Sequence, residues 1–211
     1  MLKVTLNQIG NSEPLNLIGS VEILSLTPNT PIVFLIDEHH KNLNGCIDTN
    51  IENTKELIEK ANVVLVGVES LAGGIEWNKE NERYVEDDSD VKLYNFYKST
   101  WTNGCTTFAD SISINHNNKV IGVESMGMMD KIIENIYNGL FTDVTEDPIN
   151  LERSKHYIKT LFENRIELNL QGNLILNCGS NHNSHIEEWI NNGEIEEIAG
   201  IKASYIRLNA I

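Results

Sequence analysis

The chain is short of basic side chains: 16 Lys and Arg stand against 31 Asp and Glu, for a formal net charge of -15 at pH 7. A surface of that sign repels phosphate backbones and anionic lipid headgroups, and no run of Lys and Arg offsets it locally. Nucleic acid and membrane surfaces are therefore excluded as expected partners, whereas divalent cations are attracted. Cysteine is also scarce. Cys46, Cys105 and Cys178 are the three present, an odd number without a C-x-x-C pair. That spacing suits neither a disulfide framework nor a zinc ribbon, and reduced thiols are expected. No apolar stretch approaches the roughly 18 residues of a membrane span. Residues 1–8 lack the apolar core and small-residue cleavage site of a secretory signal, which makes the cytoplasm the expected address.

What remains is the composition of a globular protein, with 40% hydrophobic and 22% charged residues in 211. One α/β domain spanning 1–211 is the expectation. Short alternating stretches before residue 30, such as 21–26, predict an N-terminal hairpin or edge strand. The continuous apolar runs 32–36, 63–68, 120–123 and 174–176 have the character of strands covered on both faces. Helical periodicity is present over 48–61, 126–138 and 150–168. This alternation predicts a mainly parallel central sheet flanked by helices. Residues 205–208 predict a last strand, read as antiparallel. The segment 71–118 breaks the rhythm. It is long, acidic around Glu86, Asp87 and Asp88, and rich in aromatics at Trp77, Tyr94, Phe96, Tyr97 and Trp101, so a partly helical cap insertion over the site is expected.

A parallel sheet delivers all its strand C-termini to one edge, with neighbours about 4.8 Å apart. Here each apolar run ends in titratable residues: Asp37-Glu38-His39-His40, Glu69-Ser70, Glu124-Ser125 and Gly179-Ser180-Asn181-His182. Carboxylates gathered at such an edge cannot all stay ionised without a cation between them, so a metal site or a coupled acid/base site is predicted. Glu38, His40, Glu69, Glu124 and His182 are the candidate catalytic residues. Glu38, His40, Glu69 and His182 are the candidate metal ligands, a mixed set suited to Mn, Co, Zn or Fe. His39 and His185 are expected in supporting positions. Gly179 is expected to allow a tight turn before His182. Cys178 is read as a small buried residue more readily than as a nucleophile, and neither Ser70 nor Ser125 lies in G-x-S-x-G.

These motifs resemble those of the erythromycin esterase-like, TraB/Tiki-like and ChaN-like superfamily. Glu38-His39-His40 is similar to its opening glycine-glutamate-any-histidine element, with Asp37 where glycine is usual. Gly67-Val68-Glu69 resembles its strand-terminal glutamate, and Gly179-Ser180-Asn181-His182 its late glycine-any-any-histidine element. The resemblance implies a site of Glu38, His40, Glu69 and His182, with Glu124 as an additional acid. Members of that superfamily hydrolyse macrolide esters, act as metal-dependent peptidases or bind haem, so it does not fix the substrate. The expected function is a hydrolase acting on an ester or amide in a small molecule or peptide. A bound metal would supply hydroxide, or a histidine held by a glutamate would activate water. The alternative is a non-catalytic protein that binds haem or another small ligand.

Overall fold

The computed structural model describes residues 2–5, 14–38, 46–72, 77–78, 83–84, 111–112, 119–140 and 148–209. Its centre is a six-stranded sheet. The strands are β3 (Ser20–Ser25), β4 (Ile32–Glu38), β5 (Val63–Ala72), β8 (Lys119–Glu124), β9 (Asn173–Gly179) and β10 (Ser204–Asn209), in the spatial order β3-β10-β4-β9-β5-β8. β10, β4, β9, β5 and β8 run parallel, and β3 is antiparallel at one edge. β1 (Leu2–Thr5) and β2 (Pro14–Leu17) pair antiparallel with each other outside this sheet, and the short strands β6 (Trp77–Asn78) and β7 (Arg83–Tyr84) do likewise. The fold is α/β, as the alternation predicts. One strand differs from expectation: β10 lies parallel to β4, with Tyr205 beside Val33, and is antiparallel only to β3. The return through two helices after β9 is a crossover that gives β10 the same direction as its neighbour.

Helices cover both faces. α1 (Cys46–Lys60) places Ile47, Ile51 and Leu57 against Phe34, Ile36, Val66, Val68 and Ile175, and Leu15 and Leu17 of β2 complete that layer. Met129 of α2 (Met126–Tyr137) joins the same cluster. On the other face, α3 (Pro148–Glu167), α4 (Ser180–Asn192) and α5 (Ile195–Ala199) bury Tyr157, Ile158, Leu161, Ile186 and Trp189 against Val33, Leu35, Leu65, Leu174 and Leu176. The pleat explains the division, since successive side chains of one strand point to opposite faces. Pro148 opens α3, where its fixed φ suits the first helical position and its missing N–H costs nothing.

The chain leaves β4 for α1 on one face and leaves β9 for α4 on the other. β4 and β9 are neighbours, so a topological switch point lies between them, and their C-terminal ends flank the crevice such sheets use for ligands. The predicted cap, 71–118, lies almost wholly outside the described residues.

Gly67 of β5 is tightly enclosed by side chains of β8, α3 and β9. A Cβ there would stand 2.8 Å from Val123 Cγ1, 3.0 Å from Leu161 Cδ1 and 3.5 Å from Leu176 Cδ1. Gly67→Ala is therefore expected to push α3 off the sheet and to destabilise by about 1–3 kcal/mol. Urea unfolding checks this, and an unchanged midpoint would mean that the contact is slack.

Candidate functional site

Strand pleat and helical spacing bring one cluster together on the α3 face. On β5, Leu65, Gly67 and Glu69 face α3, while Val66 and Val68 face α1. On α3, Asn150, Arg153, Ser154 and Tyr157 recur at intervals of three and four, which stacks them on one stripe, and all are buried. Arg153 is the hub. Its Nη2 donates to Glu69 Oε1 at 3.1 Å and also bonds Glu124 Oε2, Nε donates to Glu124 Oε1 at 3.2 Å, and Nη1 donates to Asn150 Oδ1 at 2.9 Å. The Tyr157 hydroxyl donates to Glu124 Oε2, the Ser125 N–H donates to Glu124 Oε1 at 2.9 Å, and the Gly179 N–H donates to Glu69 Oε2 at 2.6 Å.

The side chains of Arg153, Glu69 and Glu124 are only 2%, 3% and 0% exposed. Each charge loses its hydration, a cost of several kcal/mol per ion that only close pairing and full hydrogen bonding recover. Burial by itself would depress the Arg153 pKa. Tyr157, Glu124 and Glu69 around it more than reverse that effect and hold it above its ordinary value. The guanidinium thus stays charged and supplies the cation that two buried carboxylates require. Glu69 gains further from the start of α4, whose dipole favours negative charge.

His182 completes the cluster. Sequence reasoning expects a tight turn before it, but α4 begins at once: Gly179 has φ -54°, without the left-handed freedom of glycine, and His182 sits in the first helical turn. Its ring packs 4.8 Å from that of Tyr157, and its Nε2 stands 3.5 Å from Glu69 Oε1. On the other side Nδ1 lies 2.8 Å from Ser154 Oγ, which also meets His185 Nδ1 at 2.8 Å and donates to the Asn150 carbonyl at 2.9 Å.

The structure thus brings together Glu69, Glu124 and His182. Glu38 is buried at the end of β4, but alternation places it with Ile36 on the α1 face, opposite to the cluster. His39 and His40 lie outside the described residues. Asp37 faces the α4 side. Arg207 grips it through Nη2 at 2.9 Å and Nε at 3.1 Å, and Asn183 Nδ2 donates to it at 2.8 Å. Asp37 is an interior strand residue with no positive φ, so nothing in its backbone calls for glycine.

Among the described residues no group of three or more His, Cys, Asp or Glu stands ready to hold a metal ion. The donor set gives the reason at this cluster. Both Glu124 oxygens bond Arg153, one Glu69 oxygen bonds Arg153 and the other bonds the Gly179 N–H. A divalent cation at its usual distance of about 2.0–2.6 Å would sit against the guanidinium. Glu69 and Glu124 are thus committed to Arg153 and the Gly179 N–H, while His40 of the expected ligand set lies outside the described residues.

Arg153, Tyr157, Ser154 and Asn150 were not singled out in the sequence. A signal existed: Arg153 precedes Tyr157 and Ser154 precedes Ile158 by four, on the stripe that the apolar residues mark as buried. A charged residue on such a stripe demands partners of opposite sign. No protein-family model, curated protein or solved structure matches this chain.

Cys178 lies between these networks, fully buried, with Sγ 3.1 Å from Asn183 Oδ1. Burial first, then the charges of Glu69, Asp37 and Glu38, push its pKa well above the usual thiol value. It should stay a protonated, inert thiol. Iodoacetamide treatment of the native protein followed by peptide mass mapping should leave Cys178 unmodified; rapid native alkylation would show that the site admits thiolate chemistry.

Proposed function

We propose that this chain is a hydrolase that cleaves an ester or amide bond in a small molecule or peptide, with His182 as general base and Glu69 as the carboxylate that stabilises its protonated form. The observation that supports this reading best is the buried contact of His182 with a glutamate whose orientation is fixed on both oxygens, by Arg153 and by the Gly179 N–H. Holding charges in an apolar interior is costly, and such arrangements are concentrated where proton transfer takes place.

In this scheme His182 Nε2 takes a proton from a water molecule. The resulting hydroxide attacks the carbonyl carbon, and the imidazolium returns the proton to the leaving oxygen or nitrogen as the bond breaks. Glu69 faces the nitrogen that gains the charge. Arg153 and Tyr157 act at one remove by holding Glu124 and Glu69 in place. The motif resemblance to esterase-like proteins agrees with this reaction class, while the donor set favours the version without a metal. Haem binding draws less support, because both ring nitrogens of His182 face polar groups of the chain. No described helix is long and apolar enough to cross a membrane, and Cys46 and Cys178 are free thiols, in keeping with a cytoplasmic address.

The test is turnover of p-nitrophenyl acetate and of a peptide p-nitroanilide by the whole chain. Glu69→Gln should lower kcat by ~10²–10⁴-fold, the usual worth of acid/base catalysis, with an unchanged circular dichroism spectrum. Full activity in that variant removes Glu69 from the reaction. Dialysis against a chelator should leave turnover intact; a loss restored by added Mn or Zn would favour the metal version instead.

A further inference from the structure

We infer that Ser154 is a positioning residue whose hydroxyl fixes the tautomer of His182, holding the proton on Nδ1 and leaving Nε2 free as the basic atom. This rests on the reading of His182 as general base, and it follows from counting hydrogens. A serine hydroxyl has one hydrogen and two lone pairs. Among the described residues three groups surround Ser154 Oγ: the Asn150 carbonyl at 2.9 Å, His182 Nδ1 at 2.8 Å and His185 Nδ1 at 2.8 Å. The carbonyl has no hydrogen to give, so it takes the hydroxyl proton. Each imidazole must then donate from Nδ1 into one lone pair. This arrangement satisfies all three contacts, and exchanging any proton leaves one of them unmade. Ser154 is fully buried, so water cannot replace a missing partner.

The opposing pull is Glu69, a carboxylate that would draw the histidine proton to Nε2. Distance decides between them. The serine contact is at the short end of the hydrogen-bond range, and the 3.5 Å glutamate contact lies beyond it. The tautomer that Ser154 selects is the one a base needs, because it leaves Nε2 unprotonated and able to accept a proton. His185 serves as the second donor, and burial followed by the neighbouring His182 lowers its pKa, so it stays neutral with one ring N–H to give. The helix spacing permits the junction: Asn150 and Ser154 are one turn apart on α3, and His182 and His185 one turn apart on α4.

Long-range 1H–15N NMR of the uniformly labelled chain at about pH 8.5, where imidazoles are neutral, reads the tautomers directly. Substitution of His182 and His185 by glutamine, one at a time, assigns their signals among the six histidines. The expected result is a protonated Nδ1 and a pyridine-like Nε2 for both residues in the unaltered protein. In Ser154→Ala the His182 proton should move to Nε2, with kcat on the ester probe falling by ~10²-fold and KM unchanged. Ser154→Thr, which keeps the hydroxyl, should restore both. A protonated Nε2 on His182 in the unaltered protein overturns the assignment, as does a Ser154→Ala tautomer identical to the original. Should Ser154→Ala not fold, the unaltered spectrum alone decides. Expected tautomers in a chain that hydrolyses neither probe would remove the hydrolase reading and leave the role of Ser154 standing.

Discussion

The buried contact of Arg153 with Glu69 and Glu124 ties the rim of this sheet together. It joins β5, β8 and α3, and through Glu69 it reaches the first residues of α4. Two carboxylates at adjacent strand ends would otherwise repel each other in a medium of low dielectric, and one would take up a proton. A single guanidinium, forked and always charged, satisfies both at once where lysine would supply only a point charge. Glycine at position 67 has a matching role. Its missing side chain leaves room for Val123 of β8 and Leu161 of α3, which a Cβ would crowd.

The rim divides into two charge networks that share a wall. One centres on Arg153. The other joins Asp37, Asn183, Arg207 and Glu187, with Arg207 Nη1 2.6 Å from Glu187 Oε2, and it fastens α4 to β4 and β10. Cys178 separates them as an apolar, hydrogen-bonded spacer. The second network fixes the helix that carries His182 and His185, while the first fixes the glutamate that His182 faces. Neither histidine is held by its own backbone alone. Their geometry depends on α3 and α4 packing at one spacing, which the apolar contacts of Tyr157, Leu161, Ile186 and Trp189 set.

The sheet was largely legible because buried parallel strands write themselves as unbroken apolar runs, and 32–36, 63–68, 120–123 and 174–176 all fall inside observed strands. The observed strands extend further, into Asp37, Glu38 and Glu69, and partners across the sheet and on α3 and α4 satisfy the side chains of Asp37 and Glu69. The direction of β10 was not legible, since a lone apolar segment after two helices carries no mark of its neighbour. Convergence of Glu69, Glu124 and His182 follows from strand ends sharing an edge. Glu38 was read into the same group because strand order and pleat are invisible in sequence: one residue of alternation separates Asp37 from Glu38 and sends them to opposite faces. Electrostatics calls for a cation among the carboxylates, and Arg153 places one between Glu69 and Glu124. Arg153 lies 29 residues beyond Glu124 and 84 beyond Glu69, in a helix read for its apolar residues.

The central claim is that Arg153 and Glu124 depend on each other inside the fold. A double-mutant cycle with Arg153→Met and Glu124→Gln, followed by urea unfolding, measures that dependence directly. Arg153→Met leaves two buried carboxylates without their cation and should cost about 3–5 kcal/mol, whereas Glu124→Gln leaves Arg153 paired with Glu69 and should cost less. The double variant should then be more stable than the sum of the two losses predicts, by about 1–3 kcal/mol. Losses that simply add would mean that the two side chains do not share a buried contact and would contradict the account.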